Sequence, residues 1–115
     1  STLRRCTAQY NTGDGIQVYG DCTVVANTCD SNGYGGEGAG IHATSSASDT
    51  RIENNLVTDN DRGIDVDDAG NIIVRNTASG NTTNYDIAAG NHDAQVITTP
   101  GTGFVSTDPW ANFAF

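Results

Sequence analysis

The stretch Asp61 to Asn81, DRGIDVDDAGNIIVRNTASGN, holds one whole copy of a pattern that recurs on both sides of it. Four positions define the repeat. Leu3, Val24, Ile52 and Ile73 form a first column, and Cys6, Asn27, Asn55 and Asn76 a second. Ala8, Cys29, Val57 and Ala78 form a third, and Asn11, Asn32, Asn60 and Asn81 a fourth. In every column the steps are 21, 28 and 21 residues, so the block from first to fourth column is constant and all length variation falls outside it. A Gly-Ile pair then opens the next strand: Gly15-Ile16, Gly40-Ile41, Gly63-Ile64 and, more loosely, Asp86-Ile87. The insertions fall in the Gly-rich run 33–40 and the Ser-rich run 45–49.

A period of about 20 to 25 residues suits a leucine-rich repeat or a β-helix. No repeat here has room for a helix. Apolar and polar residues alternate at Ile64 and Val66 and at Ile72 and Val74, which is the periodicity of strands. Short strands separated by Asn and Gly bends predict an all-β fold, a right-handed parallel β-helix whose coils stack at ~4.8 Å. About four to five such coils are expected over residues 1–91, with 92–115 as a C-terminal capping or docking segment.

The Asn columns have a physical reason. Asn tolerates a left-handed bend, and its amide can donate to and accept from the same amide one coil up and one coil down. Two structural ladders are therefore expected, Asn27, Asn55 and Asn76 in one and Asn32, Asn60 and Asn81 in the other. Cys6 replaces Asn in the first coil, so the first of these is expected to start at Asn27. The alternative is a set of solvated turn residues, which their shared register argues against.

NGYGGEGAGI (32–41), TRIENNLVTDNDRGIDV (50–66) and NIIVRNTASGN (71–81) resemble the right-handed parallel β-helix repeat proteins. The resemblance covers roughly residues 1–91. It implies a fold and leaves function open, since that group includes polysaccharide lyases, glycoside hydrolases, uronan epimerases, phage tailspikes, adhesins and non-enzymatic surface proteins. The chain is similar to the polygalacturonase branch in fold and in the pair Asp67-Asp68, but lacks its Gly-His-Gly and Arg-Ile-Lys elements.

The net charge is -9, with five Arg and no Lys, which excludes a basic face for nucleic acid. No apolar run is long enough to span a membrane. The acidic surface suits an extracellular or cell-surface location, and equally a divalent cation. Cys6, Cys22 and Cys29 fall in different columns; an offset of two residues puts Cys6 and Cys29 at about 8 Å, beyond disulfide reach, so no bridge is expected.

The candidate chemical surface is the outward face of the Gly-Ile strands. If Ile16, Ile41 and Ile64 point inward, Gln17, His42 and Asp65 share one outward column and Tyr19, Thr44 and Asp67 the next. Gln17, Tyr19, His42, Asp65 and Asp67, with Tyr34 from the Gly-rich loop, are the candidate glycan contacts. If the chain is an enzyme, Asp65, Asp67 and His42 are its candidate catalytic residues. The two carboxylates are expected at about 7 Å, the spacing of an inverting glycosidase. A solvated strand face needs no such explanation. Asp59, Asp61 and Asp65 are candidate oxygen ligands for Ca²⁺, the alternative being a solvated turn; no other cofactor is expected.

After Asn91 the repeat fades, and HDAQVITTPGTGFVSTDPWANFAF concentrates the aromatic residues. Its D-P-W-x-N-F flavour resembles the closing segments of secreted bacterial β-helix proteins. Trp110, Phe113 and Phe115 are expected either to lie over the last coil or to dock on the first coil of another copy, which would build a head-to-tail filament. The first coil, beginning almost at Ser1, is expected to meet such a copy or preceding coils of a longer chain. The sequence thus favours a non-catalytic extracellular module, structural or self-assembling and open to glycan contact. The competing reading is a fragment of a lyase, hydrolase or epimerase acting on polysaccharide.

Overall fold

The structure, a computed structural model, describes residues 1–98 and 106–115. The chain winds through coils of three strands. The first coil holds β1 (Thr2–Arg4), β2 (Thr7–Gln9) and β3 (Ile16–Val18), and the second β4 (Thr23–Val25), β5 (Thr28–Asp30) and β6 (Ala39–Ala43). The third holds β7 (Arg51–Glu53), β8 (Leu56–Thr58) and β9 (Arg62–Val66), and the fourth β10 (Ile72–Val74), β11 (Thr77–Ser79) and β12 (Thr83–Ile87). A fifth coil opens with β13 (His92–Asp93) and β14 (Val96–Thr98), and β15 (Asn112–Ala114) follows. These strands form three parallel sheets, ordered β1-β4-β7-β10-β13, β2-β5-β8-β11-β15-β14 and β3-β6-β9-β12. The fold is the expected all-β parallel helix, and Leu3, Val24, Ile52 and Ile73 stack in the expected register.

The core is narrow because each strand sends one or two side chains inward. Val24, Ile52 and Ile73 fill it from the first sheet, Cys29, Val57 and Ala78 from the second, and Ile41, Ile64, Ala43 and Val66 from the third, all essentially without exposure. Each large aliphatic side chain so buried contributes about 1.5–3 kcal/mol. In the fourth coil Tyr85 pairs with Ile64 and Ile87 with Val66. The expected equivalence of Asp86-Ile87 to Gly63-Ile64 is thus two residues off, and Asn84-Tyr85 holds that place.

Each bend is built from two adjacent residues. One takes left-handed backbone, with φ between 49° and 57°: Arg5, Ala26, Asn54 and Arg75 at the first corner, Tyr10, Ser31 and Asp59 at the second, Asp21 and Asp49 at the third. Gly80, Gly70 and Gly90 take the same places in later coils. The residue after it points inward and carries the ladder. The left-handed position is therefore not the ladder Asn, as the sequence suggests, but the residue preceding it.

In the first ladder the Cys6, Asn27 and Asn55 backbone N–H groups donate to the Oδ1 of Asn27, Asn55 and Asn76 at 2.9, 2.9 and 3.0 Å. Each Asn Nδ2 also donates to the next Oδ1, from Asn27 to Asn55 and from Asn55 to Asn76, both at 3.0 Å. The second ladder repeats this through Asn11, Asn32, Asn60 and Asn81. A third, which the repeat columns do not contain, runs from Cys22 through Thr50 and Asn71 to Asn91.

The Gly-Ile pairs follow from the second ladder. A Cβ on Gly15, Gly40 or Gly63 would sit 2.8 to 2.9 Å from the Nδ2 of Asn32, Asn60 or Asn81. In the fourth coil Asn84 occupies this place, and its Oδ1 accepts from Asn81 Nδ2 at 2.9 Å, closing the ladder from within the same coil.

The C-terminal residues are held by strand pairing. β15 runs between β11 and β14, placing Phe113 beside Thr77 and Ala114 beside Ala78. Asn112 extends the first ladder, its Oδ1 accepting from Asn76 N–H at 2.9 Å. Trp110 lies outside the corner, under the Arg75 guanidinium at 4.2 Å, and the same arginine bonds Pro109 O and Glu53. The backbone of Trp110, Phe113 and Phe115 lies on the edge of the fourth coil, Trp110 O accepting from Arg75 N–H and the N–H groups of Phe113 and Phe115 donating to Asn76 O and Ala78 O. Positions 99–105 of the expected segment lie outside the described residues.

The Asn55 side chain joins four partners, all buried: Asn27 N–H and Nδ2, Val24 O and Asn76 Oδ1. Asn55→Ala is expected to cost roughly 3–5 kcal/mol in urea denaturation, since stranded buried polar groups cost about 1–3 kcal/mol each. Asn11→Ala, at an exposed rung, is expected to cost under about 1 kcal/mol.

The three cysteines are free, and burial, with a smaller contribution from Cys6, pushes the Cys29 thiol up to about 12. An aromatic disulfide reagent is expected to label exposed Cys6 in the native protein and Cys29 only after unfolding.

Glu53 bonds Arg51 at 2.7 Å and Arg75 at 3.2 Å, and the Arg51 bond leads the causes that hold its carboxyl below the ordinary value against the cost of burial. A depressed carboxylate contributes stability above its unfolded pKa and loses it as pH falls through the folded one. Glu53→Gln is expected to lower stability by under about 1 kcal/mol near neutral pH. That difference should shrink as pH falls through the ordinary glutamate range and vanish once the pH is below the folded-state value.

Candidate functional site

The third sheet places Gln17, His42, Asp65 and Asp86 in one outward column, paired residue to residue across β3, β6, β9 and β12. Asp67 follows β9 and donates its N–H to Ala43 O, which sets it beside Thr44. Alternation along β9 is what turns Ile64 and Val66 into the core and Asp65 and Asp67 out of it.

His42 is the centre of the site. Its Nδ1 bonds Asp14 Oδ2 at 2.8 Å and its Nε2 bonds Asp67 Oδ2 at 3.0 Å, with Asp65 Oδ2 at 3.9 Å. Asp14 is itself fixed, accepting from Ala39 N–H at 2.7 Å and from Gln17 Nε2 at 3.2 Å. The Tyr19 hydroxyl donates to Gln17 Oε1 at 3.3 Å. A continuous string of hydrogen bonds therefore runs Tyr19, Gln17, Asp14, His42, Asp67 across the first three coils.

Asp65 is outward in register yet only 4% exposed, because His42 covers it on one side and Arg62 NH1 bonds it at 2.8 Å on the other. Burial raises its pKa, against the opposing pull of Arg62 and His42. Burial works to lower the pKa of His42, but the bonds to Asp67 and Asp14 outweigh it and the net shift is upward. A carboxylate oxygen stands within hydrogen-bond distance of each ring nitrogen of His42. Thr44 Oγ1 is buried and finds no partner among the described residues.

The ligand atoms of His42, Asp65 and Asp67 all lie within 4.8 Å of one another. This brings the two carboxylates closer than the ~7 Å expected from strand spacing, and below the roughly 6.5–9.5 Å that an inverting pair keeps for its water. Among the described residues Asp59 and Asp61 join no such group with Asp65: Asp59 is a left-handed corner residue against Gly80, and Asp61 lies 3.9 Å from Arg62. Tyr34 stands away from His42, exposed on a shallow cleft of about 560 Å³ that it shares with Tyr10 and Ser31.

Asp14 is the site residue that the repeat columns miss. It precedes the Gly-Ile pair, the position that Ala39 and Arg62 hold in the next two coils. Extending the Gly-Ile column by one residue toward the N-terminus would have put Asp14 and Arg62 on either side of the small Ala39, flanking His42.

The profile of the family described as "Right handed beta helix region" matches residues 1–99. No curated protein and no solved structure gives a significant match to the chain. Parallel coils, stacked ladders and the match over most of the length agree, and the chain belongs to the right-handed β-helix family.

Proposed function

We propose that the chain is a non-catalytic β-helix module of an extracellular protein, and that it contacts a neutral, hydroxyl-rich glycan along the outward face of its third sheet. The observation that carries this reading is the hydrogen-bonded string from Tyr19 to Asp67. It presents fixed amide and carboxylate groups beside a tyrosine ring that is 67% exposed. Preset polar groups next to an aromatic surface suit a ligand that is hydroxylated at its rim and apolar on its ring faces. The net charge of -9 favours neutral glycans over uronans.

His42 supports the non-catalytic side of the reading, since a general base needs a lone pair and both its nitrogens are taken. One observation favours acid–base chemistry on a polysaccharide instead. Asp67, 39% exposed at its side chain, is a carboxylate oriented by the half-buried His42. Release of reducing ends or unsaturated products from a polysaccharide panel, abolished by Asp67→Asn, would establish that alternative.

Affinity electrophoresis through gels containing neutral polysaccharides tests the binding reading. Tyr19→Ala is expected to weaken retention about five- to tenfold, the worth of one aromatic contact of roughly 1 kcal/mol, without shifting the unfolding midpoint. Tyr34→Ala, away from the string, is expected to leave retention unchanged. Equal retention of wild type and Tyr19→Ala across the panel would remove the proposal.

A further inference from the structure

We propose that His42, Asp65 and Asp67 form a binding site for a divalent transition ion of the zinc class, with His42 Nε2 and one oxygen from each carboxylate as ligands. The inference goes beyond the glycan reading and does not rest on it. His42 Nε2 lies 3.0 Å from Asp67 Oδ2 and 3.9 Å from Asp65 Oδ2, and all three ligand atoms fall within 4.8 Å. Ligands at about 2.0–2.2 Å from such an ion stand roughly 3–3.5 Å apart, so small side-chain movements complete the geometry.

The groups behind the ligands point the same way. A metal-binding imidazole is oriented by a carboxylate on its other nitrogen, and a binding carboxylate by a donor of its own. Asp14 Oδ2 takes His42 Nδ1 at 2.8 Å, and Asp14 is locked in turn by Ala39 N–H and Gln17. This fixes the proton on Nδ1 and turns Nε2 toward Asp65 and Asp67. Arg62 NH1 supplies such a donor to Asp65, bonding its Oδ2 at 2.8 Å.

Asp14, Asp65 and Asp67 surround the His42 ring, an arrangement rich in anionic oxygen that suits a cation. The imidazole ligand selects the zinc class over Ca²⁺, which takes six to eight oxygen ligands. Three protein ligands leave a position for water or an exogenous ligand, on the side where Asp67 meets solvent.

The test uses the whole chain, stripped with chelator and free of sugar, titrated with Zn²⁺ by calorimetry and with Co²⁺ by visible absorption. One equivalent is expected to bind, and the Co²⁺ spectrum to show a nitrogen ligand with low coordination number. His42→Gln and Asp67→Asn are each expected to abolish binding, Asp14→Asn to weaken it about 10- to 100-fold, and His92→Gln to leave it unchanged. Asp67 is exposed enough that its variant keeps the fold, as circular dichroism would verify, so its loss of binding reports on the ligand. Absence of saturable binding by the wild type, or binding that survives His42→Gln or Asp67→Asn, would overturn the inference.

Discussion

An inward amide that accepts the backbone N–H of the coil before it is the bond on which the molecule depends. A chain that turns three sharp corners per coil leaves a backbone N–H at each corner facing the interior, where no water reaches it. The Oδ1 of an Asn one coil on satisfies that N–H, and its Nδ2 satisfies a carbonyl of the coil behind and the next Oδ1 ahead. Because each rung needs its neighbours at one spacing, the ladders set the coil pitch. They also dictate residues that carry no polar atom: glycine before Ile16, Ile41 and Ile64 of the third sheet, since a Cβ there would collide with the amide.

The same periodicity explains what was legible in the sequence. Two ladders were readable because Asn recurs in them at constant offsets from the apolar columns. The third escaped because its rungs are Cys22, Thr50, Asn71 and Asn91, four residues that share a place but not a chemistry. Asn112 escaped for another reason. Asn112-Phe113-Ala114 echoes Asn76-Thr77-Ala78, but it enters the stack out of chain order, after β14, so no fixed step along the sequence finds it. The shift at Asp86-Ile87 came from Asn84 replacing the glycine that marks the other coils.

The candidate site shows how a solvated strand face becomes a cluster of interlocked charged groups. Alternation predicted which residues point outward, and Gln17, His42 and Asp65 do share a column. Alternation is silent on what covers them. Asp65 is sealed by Arg62 from its own strand and His42 from the strand before, and His42 is pinned by Asp14 from a third coil. These contacts run diagonally between coils, at positions one step off the columns, where reading down a repeat does not look.

The seating of β14 bears on how the molecule is made. Among the described residues β14 pairs in the second sheet with β15 alone, while β15 bridges it to β11. During synthesis the first four coils can stack as each emerges, every strand finding its neighbour already in place. Residues 96–98 find no such neighbour, because the strand they rest on is encoded after them. Growth of the stack is thus vectorial through β13, which rests on β10, and retrograde at β14, which is seated only after residues 112–114 have left the ribosome.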